Sequence, residues 1–271
     1  MKKPILYVLL ALVPLSLAAW IRVRPSNNRD WTIGQDSLPR AHFAGDSLRI
    51  LNLRNFDYDS TGEPVSIRYE DRAYDLRKLQ TVWFIVAPFD RQRRGPAHSF
   101  LSFGFADSQY VAISVEARRE KDESYALVKG LLKRYELMYV IGDERDLIRL
   151  RVARADDVYL YPIRTTPARA RALFVRMLEQ ANALRDQPQF YNTLTNNCTT
   201  HILEHANSIA SVKIPYGREV LLPGYADELA GRLGLLDTNL PIEQARRRFH
   251  INERAQRHFH DADFSTLIRL P

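Results

Sequence analysis

One cysteine and one histidine a hundred positions before it carry the chemistry available to this chain. Cys198 is the only cysteine in 271 residues, so no disulfide can form within the chain. It follows Asn196 and Asn197, a residue type strongly preferred at helix N-caps. After it, Ile202, Leu203, Ala206, Ile209 and Ala210 recur at helical spacing, which predicts a half-buried helix with Cys198 in its first turn. A thiol there lies at the positive end of the helix dipole and loses its proton more readily. A sulfur nucleophile also needs a base and a group that orients the base. His98, at the head of a β-prone run, is the expected base. Glu116, on the following run, is the expected orienting group, with Ser114 as a substitute. Backbone N–H groups at the helix start, helped by the Asn196 or Asn197 amide, are the expected oxyanion donors.

Two further patterns bear on chemistry. His201-Ile202-Leu203-Glu204-His205 matches the inverted zincin spacing H-x-x-E-H, which sets two imidazoles on one helix face. No downstream helix supplies an obvious third ligand, so zinc hydrolysis is the alternative and no metal or other cofactor is expected. Arg91, Arg93 and Arg94 form a basic loop just before His98. Guanidinium groups there would make a substrate rim for phosphate or carboxylate.

The elements that must position these residues are mostly β. Ser47 to Phe56 alternates as a first strand, and Val82 to Ala87 reads as a strand buried on both faces. His98 to Phe105 and Tyr110 to Glu116 read as an antiparallel pair joined at Asp107-Ser108. Alternation puts His98, Phe100, Ser102 and Gly104 on one face. Ser124 to Glu136 reads as a helix, and Leu137–Ile141, Leu147–Val152 and Val158–Tyr161 as three short strands. Thr166-Pro167 is a helix start, with Leu173, Met177, Ala181 and Leu184 facing inward. Ala226 to Leu233 reads as a short helix ending near Gly234.

Lys2 and Lys3 precede a 17-residue apolar run from Ile5 to Ile21, broken only by Pro14 and Ser16. A charged start before such a run is an export signal, so residues 1–21 are expected to be a signal peptide or an inner-membrane anchor. Residues 22–45 read as a linker, 46–240 as the domain, and 241–271 as a basic C-terminal extension. The net charge of +7 comes without a zinc finger, an RNP-like motif or a uniformly basic helix, so no nucleic-acid partner is expected. An unpaired cysteine in an exported protein is a candidate reactive thiol.

Three segments together resemble a known family. His98-Ser99-Phe100-Leu101-Ser102-Phe103-Gly104, then Ile113-Ser114-Val115-Glu116-Ala117-Arg118, then Tyr191-Asn192-Thr193-Leu194 with Asn196-Asn197-Cys198-Thr199 are similar to the Lnb N-terminal periplasmic domain family. The resemblance spans about residues 70–240. It implies an α+β domain like a circularly permuted NlpC/P60 papain-like fold, the order shared with lecithin:retinol acyltransferase, with an antiparallel sheet packed on the Cys198 helix. It implies Cys198 as nucleophile, His98 as base and Glu116 as third member. Lnb enzymes move an acyl chain of a lipoprotein onto its N-terminal amine, and they carry membrane helices after this domain, where the present chain has no apolar span. The expected function is an exported thiol-dependent acyltransferase or hydrolase working through a thioester. Its expected partners are membrane lipids or lipoproteins and the inner membrane. The same fold would also suit a peptidoglycan-peptide amidase of NlpC/P60 type or a non-catalytic envelope binding module.

Overall fold

The computed structural model describes residues 22–90, 92 and 94–270. The expected signal or anchor segment, residues 1–21, lies outside them, as do Arg91 and Arg93. Ten strands are present among the described residues: β1 (Arg40–Ala44), β2 (Ser47–Arg54), β3 (Asp57–Tyr58), β4 (Pro64–Ser66), β5 (Tyr69–Asp75), β6 (Leu79–Pro88), β7 (Ala97–Phe105), β8 (Tyr110–Arg118), β9 (Glu136–Asp143) and β10 (Tyr159–Pro162). The main sheet runs β1-β2-β9-β8-β7-β6-β10, with β5 also paired to β2, while β3 and β4 form a separate ribbon. Its centre, from β9 to β10, is antiparallel throughout. The chain is thus α+β, a multistrand sheet packed against helices.

Nine helices among the described residues accompany the sheet: α1 (Leu127–Leu131), α2 (Glu144–Ala153), α3 (Pro167–Asp186), α4 (Cys198–Ile209), α5 (Arg218–Leu221), α6 (Ala226–Arg232), α7 (Ile242–Phe249), α8 (Asn252–Arg257) and α9 (Phe264–Leu267). None of the described helices is long and apolar enough to cross a membrane. Strand alternation divides the core in two. Leu101, Phe103 and Phe105 of β7 face α3, where Phe174 and Met177 are fully buried. Phe100 and Ala112 face the other way, with Leu147, Ile148, Phe264 and Ile268. Burying a side chain such as Phe174 contributes about 1.5–3 kcal/mol by removing its apolar surface from water.

Several sequence expectations meet a different structure. Leu147 to Val152 is not a strand but part of α2. The Asp143 carboxylate accepts the Arg145 N–H and caps that helix, and Asp146 inside it takes Arg54, Phe56 N–H and the Tyr58 hydroxyl at 2.7–2.9 Å. Those four hydrogen bonds satisfy a fully buried carboxylate, which a strand pattern of alternating residues does not anticipate. The helix expected over Ser124 to Glu136 shrinks to the five residues of α1, because Lys133 adopts φ 55° and Glu136 already begins β9.

Residues 22–45 are not a free linker. Arg118, 2% exposed, lies 4.0 Å over the Trp31 ring and donates to Asn27 and Gln35, and β1 pairs with β2. The basic C-terminal residues likewise fold back: Ala245, Phe264 and Ile268 are fully buried, and Arg246 binds Asp227 at 2.8 Å.

Candidate active site

Helix α4 starts where the sequence places it, and its start is well built. The Asn197 side-chain oxygen accepts the N–H groups of Thr199 and Thr200 at 3.0 Å each, and Thr200 Oγ1 accepts the Asn197 N–H at 2.8 Å. This reciprocal cap satisfies donors that a helix otherwise leaves open. The Cys198 N–H has no acceptor among the described residues, so it is the backbone donor free for an oxyanion. Asn192 and Asn196 bridge each other ahead of the helix, and Thr193 Oγ1 donates to Leu127 O at 2.7 Å, tying α1 to this turn. A Cβ on Gly130 of α1 would fall 2.2 Å from Thr193 Oγ1, so only glycine allows so close an approach.

His98 comes to the sulfur from β7. The ring and the Ser99 N–H lie near enough to the Cys198 sulfur to bear on its ionisation, while the direct hydrogen bond of the sulfur is to Thr199 Oγ1 at 3.7 Å. On its other side, His98 Nε2 lies 2.6 Å from Ser114 Oγ and 3.1 Å from Glu116 Oε1. The Ser114 hydroxyl donates to Glu116 at 2.7 Å, so it accepts from Nε2–H. With Nε2 engaged in this way, Nδ1 is the nitrogen left for sulfur. Strand register explains the pairing. Leu101 faces Ile113 across β7 and β8, and the same register continued to the strand ends sets His98 opposite Glu116. Cross-strand neighbours in such a pair are near enough to bond directly.

The electrostatics follow from this geometry. Burial pushes His98 down, but the Glu116 carboxylate outweighs it and the imidazole rises from 6.5 to about 9. Burial pushes the Cys198 thiol up, but the neighbouring His98 prevails, so the thiol falls below 9.0. Burial also works against the Glu116 charge, and His98 with Arg151 overcome it and hold the carboxyl well below its usual range. The two shifts run in the direction that favours a thiolate–imidazolium pair.

The pair opens onto a cavity of about 560 Å³ lined by Cys198, His98, Glu116 and Asn197. One wall is apolar: Leu127, Val128 and Leu131 of α1, Leu221 of α5 and Leu222 are all solvent-exposed yet line it. Tyr125 and Tyr191, whose hydroxyls lie 3.3 Å apart, line the same cavity as Cys198. Arg119, Arg151 and Arg154 line it as well, with Asp156. The sequence singled out none of these arginines and not Tyr125; Tyr191 entered only as the head of a family-like segment. Arg151 falls in the segment that reads as a strand and Arg154 just beyond it, so no spacing argument linked them to Glu116.

Other expected site residues are engaged elsewhere. Arg94 is not a substrate rim: it binds Glu228, Asp227 at 2.9 Å and Gly224 O at 2.6 Å, and packs 4.6 Å from the Tyr225 ring. That clamp presses Gly224 onto Gly95, where a Cβ would meet backbone at 2.8 Å. The Asn197 amide nitrogen donates to Thr193 O at 2.7 Å and that of Asn196 to Phe190 O at 2.7 Å. Both side chains therefore support the turn, each through one of its two amide N–H donors.

Zinc binding by the H-x-x-E-H residues fails on lone pairs. His205 Nε2 and His201 Nδ1 lie 2.7 and 3.0 Å from the Tyr139 hydroxyl, and His201 Nε2 lies 2.6 Å from Asn196 Oδ1. With the Asn196 oxygen accepting from His201, the chain runs His205 N–H to Tyr139 O, Tyr139 O–H to His201, and His201 N–H to Asn196. Every nitrogen but one is used, and Glu204 is exposed. No group of three or more metal-ligating side chains exists among the described residues.

The family model of the Lnb N-terminal periplasmic domain matches residues 66–222. That is more than half of the chain, and the chain belongs to this family; the domain is a periplasmic, envelope-associated one. No curated protein and no solved structure matches it.

Proposed function

We propose that this protein is a thiol-dependent acyltransferase or hydrolase that works through a thioester on Cys198, with acyl groups of membrane lipids or lipoproteins as substrate. The observation that carries this reading is a buried imidazole held by Ser114 and Glu116 that shares one open cavity with Cys198 and lowers the pKa of its thiol. The apolar wall formed by α1 and α5 suits a hydrocarbon chain better than a peptide, which favours acyl esters over muropeptides. The N-terminal apolar run would keep such a site at the inner membrane, on its periplasmic side.

The steps balance on this chain's own groups. The Cys198 thiolate attacks the ester carbonyl carbon, and the Cys198 N–H holds the oxyanion that forms. As the C–O bond breaks, His98 delivers its proton to the departing alkoxide, leaving a thioester and a neutral imidazole. An amine or water then attacks the thioester carbonyl, His98 takes the proton it loses, and the thiolate leaves. Glu116 and Ser114 keep the ring oriented and stabilise its charged form throughout.

The test is incubation of the purified protein with labelled phospholipid, diacylated lipopeptide and muropeptide, followed by intact mass. A mass increase of one acyl chain on Cys198, absent in Cys198→Ala, supports the reading. A muropeptide adduct, or turnover of lipid by Cys198→Ala, contradicts it.

A further inference from the structure

Three arginines line the cavity together with the carboxylates Glu116 and Asp156, and part of the cationic charge has no ion-pair partner among the described residues. Arg151 is engaged by Glu116 at 3.5 Å and by Asp156 at 3.8 Å. Arg119 makes one long bond of 3.4 Å, to the Glu123 carbonyl, and no ion pair among the described residues. The Arg154 guanidinium makes neither a hydrogen bond nor an ion pair among them. A half-buried arginine such as Arg119 is ordinarily paired. Arg154 is more exposed, and it too lines the cavity that holds the nucleophile. It is also held below its ordinary value, by partial burial first and then by the neighbouring charges of Arg151 and Arg119, which Tyr58 and Asp156 only partly offset. An arriving anion would relieve that repulsion.

We infer that Arg119 and Arg154 form an anion subsite beside Cys198, which receives the phosphate of an acyl glycerophospholipid whose hydrocarbon chain lies on the apolar wall of α1 and α5. The inference rests on the proposed thiol reading and narrows its substrate to an anionic amphiphile. A guanidinium fork suits a phosphate diester through paired N–H donors. The mixed lining selects the lipid: a peptide carboxylate would satisfy the arginines but leave the exposed leucines of the apolar wall uncovered.

Two alkylating agents that differ in charge test the subsite on the intact protein. Iodoacetate carries a carboxylate and iodoacetamide does not, and both report on the same sulfur. The ratio of their rates at Cys198 is expected to fall about fivefold in Arg154→Gln and further in the Arg119→Gln/Arg154→Gln pair. It should hold in Arg154→Lys and shrink in wild type as salt screens the arginines. Phosphatidylglycerol vesicles are expected to slow iodoacetamide several-fold, phosphatidylcholine vesicles not, and the double variant should lose that protection. A Cys198 that reacts readily but with a ratio indifferent to both substitutions overturns the subsite alone. So does protection by a soluble acidic dipeptide in place of phosphatidylglycerol, which would assign the arginines to a peptide. A Cys198 inert to both reagents at neutral pH overturns the thiol reading and this inference with it.

Discussion

Two imidazole clusters flank the start of helix α4, and they are almost equally buried: His98 is 6% exposed, His201 5% and His205 8%. Burial alone has the same effect on all three, since a charged ring is costly away from water. Yet His98 rises to about 9, while His201 and His205 fall to about 4. The partner makes the difference. His98 faces the Glu116 carboxylate, whereas His201 and His205 share the neutral hydroxyl of Tyr139. A histidine in this fold becomes an acid–base group only where a carboxylate meets it, and otherwise serves as a neutral structural strut.

The sharpest way to break the comparison is to remove the imidazole beside the sulfur. His98→Ala is expected to slow alkylation of Cys198 at neutral pH by about 10²-fold, within the usual range for a positioned base. Glu116→Gln should convert His98 to the other kind of histidine. Burial then dominates, the ring falls below its ordinary 6.5, and the rate at pH 8 drops by about tenfold or more. Rate measurements across pH on both variants check these outcomes.

Stability should separate the clusters by pH. The His98 ring is raised, so its contribution is full below 6.5 and is lost as pH rises to about 9. His201 and His205 are lowered, so theirs is full above 6.5 and is lost as pH falls to about 4. Replacing both by glutamine should flatten the acid side of a thermal-midpoint profile, and His98→Gln the alkaline side. Tyr139→Phe leaves two buried ring nitrogens unpaired, His201 Nδ1 and His205 Nε2, at a cost of about 1–3 kcal/mol each, while alkylation at Cys198 stays within about threefold of wild type. Asn197→Ala should cost about 0.5–2 kcal/mol through the lost cap. Thermal melts with parallel alkylation rates check both.

The part of the site that local pattern controls was legible in the sequence. Asn197, Cys198 and the apolar spacing after them define a capped helix start without reference to the rest of the fold. The alternating runs around His98 and Glu116 define two strands, though only the observed register places those residues face to face. The cationic part of the lining was not legible, because Arg151 belongs to α2 and Arg154 to its C-cap, and the Leu-Ile-Arg-Leu-Arg-Val run of that helix mimics a strand. What makes it helical is distant: Arg54 and Tyr58 meet Asp146 from another part of the chain. Arg94 misled for a similar reason, since its partners Asp227 and Glu228 lie over a hundred residues later. The H-x-x-E-H spacing gave ligand types but not the hydrogen bonds to Tyr139 and Asn196 that engage three of the four ring nitrogens.

The pH profile of Cys198 alkylation by iodoacetamide tests the central claim most directly. The account predicts a rate that rises at a pH clearly below 9.0, reflecting a thiolate held by imidazolium, and a shift of that midpoint upward in His98→Ala. A single limb with its midpoint at or above 9.0, unchanged by His98→Ala, would mean an ordinary buried thiol and would contradict it.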